Sequence, residues 1–230
     1  PQNPNYSKFA QLFGAEMTAA LWALLAFSGA AFVFYRIQSD IPGAGIVKGL
    51  RYGASISLLW LFAMLEGVCL FGNAIRNEFV VGLSDAIPAF LLGLLLSLTI
   101  DRKKEISERK QLTFKQKSLT VCVITGAFFA GRYLAYFTGA IQSGYQTNPL
   151  YTLLWTLLMG VCIGTGCVLL GDAGNALALK RRAAKFGFLI FGVNWAVFLV
   201  FMPFLFSGYI TDVLCRVVID TLLVTTGYYL

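Results

Sequence analysis

The chain has 230 residues, of which 58% are hydrophobic and only 13% are charged, and its mean hydropathy is +0.74. These values lie far outside the range of ordinary soluble domains and exclude a water-soluble enzyme or binding module. The formal net charge is +7, and the absence of histidine excludes His-ligated haem and the usual zinc sites. We therefore expect an integral membrane protein with no cofactor and no bound metal.

Apolar runs long enough to cross a bilayer, about 20 residues each, follow one another along the whole chain. Seven such runs occur, at 15–35, 52–72, 80–100, 119–138, 152–170, 187–207 and 213–230. Because the connections are short apart from 101–118, the sequence predicts a single membrane domain, 1–230, in an all-α polytopic fold of seven transmembrane helices. Before the first run, Phe9, Leu12 and Phe13 have helical spacing, which predicts a short helix along the outer surface.

Basic residues are concentrated in the first, third and fifth connections between the runs. These connections contain 14 of the 18 lysines and arginines: Arg36, Lys48, Arg51, Arg102, Lys103, Lys104, Arg109, Lys110, Lys115, Lys117, Lys180, Arg181, Arg182 and Lys185. The positive-inside rule then predicts an amino terminus outside the cell and a cytoplasmic carboxyl terminus. The net positive charge reflects this bias and does not indicate nucleic-acid binding. The basic connection 101–118 could instead bind anionic lipid or an acidic partner.

The chain resembles itself at a nearly constant spacing of 133 to 135 residues. The segment that begins "LW" at Leu21 matches the one at Leu154, "RYG" at Arg51 matches "KFG" at Lys185, and "LSD" at Leu83 matches "VID" at Val218. Three ordered matches predict an internal repeat, with one three-helix unit at 15–100 and a second at 152–230. The pairs of residues that correspond are Trp22 with Trp155, Gly53 with Gly187, and Asp85 with Asp220.

The remaining helix, at 119–138, lies between the two repeats and links them. An odd helix between the units makes both repeats run in the same direction across the bilayer, so the sequence predicts two parallel repeats plus a linker helix, in a 3+1+3 order. A pseudo-twofold axis would then lie along the membrane normal.

Four ionisable residues fall inside the apolar runs at similar depths below the outer surface. With about 1.5 Å per residue, Glu66, Asp85, Arg132 and Asp220 lie about 8–10 Å below the outer ends of their runs. A charge that faces lipid is costly, so we expect the four to face inward and to meet one another or water. Arg132 is the natural counter-ion, which leaves this layer with an excess of acidic groups.

Two hypotheses for this layer carry equal weight. In the first, the four residues are a structural ion-pair cluster that fixes helix packing. In the second, Asp85 and Asp220 bind a cation or a proton, Glu66 is a coupled carboxylate, and Arg132 is the counter-charge or an anion anchor. A weaker alternative is an intramembrane aspartyl hydrolase with Asp85 and Asp220 as the acid pair. "GLSD" departs from the GxGD pattern of such proteases, so we assign no catalytic residue.

The predicted function is a small cation- or proton-coupled secondary transporter, or a channel-like protein, with an acidic site that opens to the outer face. The alternative is a non-catalytic subunit or scaffold of a larger membrane complex. Its protein partners would bind to apolar helix faces or to the basic inner connection 101–118. The two functions predict different effects of changing the carboxylates: loss of transport in the first, and no such loss in the second.

Overall fold

A computed structural model describes residues 5–100, 113–171 and 178–230 of the chain. In these segments the regular structure is helical, apart from one antiparallel bridge between Tyr6 and Phe206. The helices are α1 (Lys8–Phe13), α2 (Ala15–Ile37), α3 (Ile46–Phe71), α4 (Ile75–Thr99), α5 (Phe114–Phe137), α6 (Pro149–Leu169), α7 (Leu179–Leu205) and α8 (Ile210–Tyr229).

Six helices, α2 to α7, are long and apolar enough to cross a membrane among the residues that the structure describes. The last helix, α8, has 20 residues and includes three charged side chains, Asp212, Arg216 and Asp220. Each of the seven apolar runs therefore lies in a helix, and the protein has the all-α polytopic architecture that the sequence predicts. The basic residues of the third connection, up to position 112, lie outside the described residues.

Most helices begin before the apolar run that predicts them. Helix α3 begins at Ile46 rather than at 52, and α4 begins at Ile75 rather than at 80. The added turns contain Lys48, Arg76 and Glu78. Hydropathy detects only the part of a helix that suits hydrocarbon, whereas backbone hydrogen bonding continues into the polar headgroup region. The position of a residue within its apolar run, and not its distance from the end of the helix, therefore indicates its depth in the hydrocarbon.

The short helix α1 confirms the expected amphipathic segment before Ala15. The hydroxyl of Ser7 accepts a hydrogen bond from the backbone N–H of Ala10, which caps the helix. The ring of Phe9 lies 5.3 Å from that of Phe204 at the end of α7, and the backbone N–H of Ser7 donates to the carbonyl of Leu205. The amino-terminal segment is thus attached to the outer end of α7.

Helix α7 contains a π-helical segment at Lys185–Gly192, between α-helical residues Leu179–Ala184 and Val193–Leu199. A last helical turn, Phe201–Leu205, contains Pro203 and completes the span. A π-helical segment accommodates an extra residue, because each hydrogen bond there spans five residues instead of four. Helix α7 can therefore contain one extra residue while the residues on both sides of the π-helical segment keep their contacts with neighbouring helices.

The helices pack in a chain of neighbours. Helix α3 packs against α4 and α6, α5 packs against α6 and α8, and α7 packs against α8 and α2. Close approach depends on glycine in both the α3–α4 and the α7–α8 pairs: a Cβ on Gly53 would lie 2.6 Å from the carbonyl oxygen of Phe90, and one on Gly187 would lie 2.9 Å from the Cα of Thr225. The α3–α4 pair has further backbone contacts at Gly49 and Gly93.

Tryptophans join the first three spans to the last ones. The indole N–H of Trp22 on α2 donates to the carbonyl of Val197 on α7 at 2.9 Å, and that of Trp155 on α6 donates to the carbonyl of Phe62 on α3 at 2.7 Å. Trp60 packs between these helices, with its ring 5.6 Å from that of Phe198. The main core is therefore an apolar cluster shared by both halves of the chain, and a smaller cluster contains Ala135, Tyr136 and Ile141.

Candidate functional site

Arg132 and Asp220 form the centre of a buried polar cluster. Arg132 lies on α5, and Asp220 lies on the adjacent α8. The Nε and Nη2 atoms of Arg132 donate to the two carboxylate oxygens of Asp220 at 2.6 and 2.5 Å. Both side chains are fully buried. This two-point geometry is the strongest pairing that a guanidinium makes with a carboxylate, and it fixes the rotation of α5 relative to α8.

Glu66 connects this pair to α3 and to a second arginine. Its Oε1 atom accepts from the Nη1 atom of Arg132 at 2.8 Å and from the Nη1 atom of Arg216 at 2.5 Å. Arg216 lies one helical turn before Asp220 on α8, and its Nε atom also donates to Asp212 at 2.5 Å. One carboxylate oxygen therefore bridges two guanidinium groups from α5 and α8.

Asp212 extends the cluster towards the connection between α5 and α6. Its Oδ1 atom accepts from the backbone N–H of Gln142 at 2.6 Å, and the carbonyl of Gln142 accepts from Arg216. We name Glu66, Arg132, Asp212, Arg216 and Asp220 the ion cluster. It joins helices α3, α5 and α8 and the connection between α5 and α6.

Aromatic residues enclose the guanidinium of Arg132. Its carbon lies 5.2 Å from the ring centre of Trp155 and 5.4 Å from that of Phe128, within range of cation–π attraction. Its Nη1 atom lies 3.3 Å from the hydroxyl of Tyr136. On the other side of the pair, the indole N–H of Trp195 on α7 donates to Asp220 at 2.9 Å. Asp220 thus accepts three hydrogen bonds without access to water.

The ion cluster contains two arginines and three carboxylates, so its formal charge is minus one when all five groups are ionised. Exposure increases along it: Arg132 and Asp220 are 0% exposed, Arg216 is 3%, Glu66 is 7% and Asp212 is 12%. The unbalanced carboxylate is therefore best placed at Asp212, which is the most exposed member of the cluster. The deep part of the cluster is balanced and closed.

Three of the four predicted site residues meet, and the fourth does not. Glu66, Arg132 and Asp220 are in direct contact, whereas Asp85 has no ion pair and no side-chain hydrogen bond with any residue in the described ranges. Asp85 is partly exposed at the edge of the buried stripe of α4, which Gly82, Ala86 and Ala89 form. In these contacts, Asp85 and Asp220 do not form a shared site.

The sequence analysis missed three members of this site. It did not consider Asp212, Arg216 or Trp195 as partners of the acidic layer. Asp212 and Arg216 have the i, i+4 spacing of a helical ion pair, which is a usable signal. The role of Trp195 is harder to predict from the sequence, because the acceptor that an indole N–H reaches depends on how the helices pack.

Two cavities of the described chain are lined mainly by apolar residues. One of about 20 Å³ lies between α3, α6 and α7. A groove of about 320 Å³ between α7 and α8 is lined by Phe188, Gly192, Val193, Ala196, Val217, Val218, Thr221 and Leu222. No member of the ion cluster lines either of them. The arrangement can hold helices together by charge pairing, and the side chains of Arg132 and Asp220 have no accessible surface at which a hydrated ion could bind.

No protein-family model matches the chain, and searches of curated proteins and of solved structures found no match.

Proposed function

We propose that this membrane protein is a non-catalytic subunit or scaffold of a larger membrane complex. The observation that carries the proposal is the closure of the ion cluster, in which Arg132 and Asp220 are fully buried and pair through two hydrogen bonds. A transported cation would need carboxylate oxygens that are free and reachable. Here three donors already occupy Asp220, and separating a buried pair leaves an uncompensated charge.

The outward helix faces supply the surfaces for partners in this proposal. Helix α4 has the smallest buried share of the six spans, with 22% of its apolar window buried. Large apolar side chains on it are exposed, among them Val81, Ile87, Leu91 and Leu95. Partner proteins would bind to such faces in the membrane, and the basic connection 101–118 would bind them, or anionic lipid, on the inner side.

We also propose the parallel 3+1+3 repeat as the architecture of this subunit. The helices of the two units begin at positions 134, 133 and 135 residues apart: Ala15 and Pro149, Ile46 and Leu179, Ile75 and Ile210. The hydrogen bond from Trp22 to Val197 corresponds to that from Trp155 to Phe62, with donors 133 and acceptors 135 residues apart. Likewise, the contact of Gly53 with Phe90 corresponds to that of Gly187 with Thr225. These equivalences support a pseudo-twofold relation.

The π-helical segment supports the same repeat. The distance from Gly53 to Trp60 is seven residues, and that from Gly187 to Trp195 is eight. The extra residue falls within Lys185–Gly192, where the backbone is π-helical. A one-residue insertion in an α-helix rotates everything beyond it by about 100°, and a π-helical turn absorbs that rotation. Trp60 and Trp195 can therefore hold equivalent positions despite the insertion.

Cation- or proton-coupled transport is the second candidate. The observation in its favour is the third carboxylate of the ion cluster, because a purely structural cluster would balance its charges. Asp212, with 12% of its side chain exposed, would be the entry point from the outer face. Two related halves that move relative to each other are also the usual basis of alternating access.

One experiment separates the two candidates. The purified chain is reconstituted in liposomes, and proton and monovalent-cation fluxes are followed with entrapped dyes. We expect fluxes equal to those of protein-free liposomes, together with recovery of the chain in a fixed ratio to another subunit when it is purified from its own membrane in mild detergent. A pH-dependent flux that Glu66→Gln and Asp212→Asn abolish, and that the control Glu16→Gln leaves intact, would contradict the subunit proposal and favour transport.

A further inference from the structure

The first half of the molecule contains a carboxylate and an indole without a polar partner among the described residues, although their counterparts in the second half are paired. We propose that the outward face of α2 and α4 binds a transmembrane helix of a partner protein, and that this helix supplies an arginine to Asp85. The inference rests on the proposed function as a membrane subunit and names the contact through which assembly occurs.

Asp85 and Asp220 have equivalent places in their helices. Asp85 is ten residues after Ile75, the first residue of α4, and Asp220 is ten residues after Ile210, the first residue of α8. Both therefore lie about 15 Å along the helix from its first residue and about 8–10 Å below the start of the apolar run, within the hydrocarbon. Asp220 has a guanidinium and an indole as donors, whereas Asp85 has neither within the described chain. A carboxylate at this depth is expensive unless a partner compensates it.

The indole that corresponds to Trp195 is also unpartnered. Trp60 is fully buried, and its Nε1 atom has no hydrogen-bond acceptor among the residues described. Trp195 donates to Asp220, and Trp60 and Asp85 are the residues that correspond to this pair at a spacing of 135. The first half thus contains an aspartate and a tryptophan at the positions that correspond to Asp220 and Trp195, but no described arginine pairs with this aspartate.

The arginine of the second half comes from the linker helix. Arg132 lies on α5, which packs against α6 and α8. In the proposed repeat, α2 and α4 correspond to α6 and α8, so the equivalent of α5 would lie along α2 and α4. Within the described part of the chain α4 packs mainly against α3, and to a smaller extent against α2. No described helix fills the place that α5 occupies in the other half.

The depth and charge of the site indicate which kind of molecule binds there. Asp85 lies about 8 Å below the start of its apolar run, so a cationic lipid headgroup, which stays at the bilayer surface, is too shallow to pair with it directly. A second copy of this chain has the same orientation, and its two arginines at this level, Arg132 and Arg216, are already engaged with their own carboxylates. An apolar helix with one arginine remains, because the flexible stem lies along hydrocarbon while the guanidinium makes two hydrogen bonds to the acid.

The proposal is tested with the full chain in liposomes and a synthetic helix as the probe. The probe is a leucine–alanine helix of about 22 residues with a single arginine about 8 Å below its outer end, and the control peptide has leucine there. Association is measured by energy transfer between labels. We expect the arginine helix to bind the parent chain about threefold to twentyfold more tightly than the leucine helix, the range for polar contacts between membrane helices.

Variants of the chain make the test specific. Asp85→Asn should remove the preference for arginine, and the control Glu16→Gln, which removes another carboxylate near the outer surface, should retain it. Asp85→Arg should prefer a probe with aspartate in place of arginine. Because Asp85 pairs with no residue in the described ranges, Asp85→Asn should melt within a few degrees of the parent, whereas Asp220→Asn should melt much lower.

Three results would overturn the inference: equal binding of the two probes, a preference that persists in Asp85→Asn, or a loss of thermal stability in Asp85→Asn as large as that in Asp220→Asn. If the native complex keeps its second subunit when Asp85→Asn is introduced, the contact through Asp85 is refuted and the subunit function stands. The absence of any stoichiometric subunit would refute the proposed function itself, whatever the probes do.

Discussion

Arg132 connects its own helix, α5, with three other helices. It contacts carboxylates from α3 and α8 and aromatic rings from α5 and α6, and none of its surface is exposed. The free energy that such a buried ion pair contributes is small, whereas the free energy lost when one partner is removed is large. A buried ion pair adds little compared with a well-packed apolar pair, but removal of one partner leaves the other charged and desolvated. Arg132 is therefore essential to the stability of this particular arrangement.

We expect Arg132→Leu to lower the free energy of unfolding by about 3–5 kcal/mol, because Asp220 loses its guanidinium and Glu66 keeps only Arg216. The measurement is equilibrium unfolding in mixed micelles. Arg76→Gln, which changes an exposed arginine in the first turn of α4, serves as the control and should change the free energy of unfolding by less than about 0.5 kcal/mol.

The double variant Arg132→Leu/Asp220→Leu sharpens this test. Removal of both charges leaves no uncompensated ion in this pair, so the double variant should be more stable than Arg132→Leu alone. A double variant that is as unstable as the sum of the two single variants would mean that packing, and not charge pairing, accounts for the effect.

At the scale of elements, the π-helical segment of α7 explains how two helices of different length make equivalent contacts. Gly187 lies against α8 before the extra residue, and Trp195 donates to α8 after it. If the segment were α-helical with the same number of residues, one of these contacts would rotate away from α8. The backbone irregularity thus maintains the register between α7 and α8.

Deletion of Phe188, an exposed residue inside the π-helical segment, should convert it to an α-helix while both contacts with α8 remain. The deletion variant should keep most of its thermal stability in detergent. The matched control deletes Ala130, an exposed residue of the regular helix α5, which turns Arg132 by about 100° relative to the preceding turns. Equal loss of stability in the two deletions would refute the interpretation of the π-helix as an insertion.

At the scale of the whole molecule, the ion cluster lies towards one end of the helix bundle, and described basic residues lie at the other end. Arg36 near the end of α2, Lys115 at the start of α5 and Lys180 at the start of α7 lie at the opposite helix ends from Asp212 and Gln142. We propose that this asymmetry sets the orientation, with the amino terminus outside and the carboxyl terminus in the cytoplasm.

Single cysteines introduced at Ser143 and at Lys115, in a background without the five native cysteines, should report this orientation. A membrane-impermeant thiol reagent added to intact cells should label Ser143→Cys and leave Lys115→Cys unlabelled until the membrane is permeabilised. Replacement of the lysines and arginines of 101–118 by glutamine should produce molecules of mixed orientation. An unchanged labelling pattern in that variant would mean that helix hydrophobicity, and not loop charge, sets the topology.

Much of this architecture follows from local properties of the sequence. The membrane class and the seven helices depend on sums of side-chain hydropathy over about 20 residues, and such sums need no knowledge of the neighbours. The ends of the helices were less well predicted, because Lys48, Arg76 and Glu78 are helical in the structure but too polar for an apolar run. The presence of charged residues at the level of Arg132 was likewise visible, since any charge inside an apolar run stands out.

The sequence by itself therefore determined that this is an all-helical membrane protein with a small number of deep charges. Only the tertiary structure decided which of these charges meet. Asp85 and Asp220 occupy the same position in their helices, and nothing local distinguishes them. The difference arises because α5 packs beside α8 and brings Arg132 to Asp220, while α4 has no such neighbour among the described helices. Ion pairing depends on the rotation and the neighbours of whole helices, and packing alone sets both.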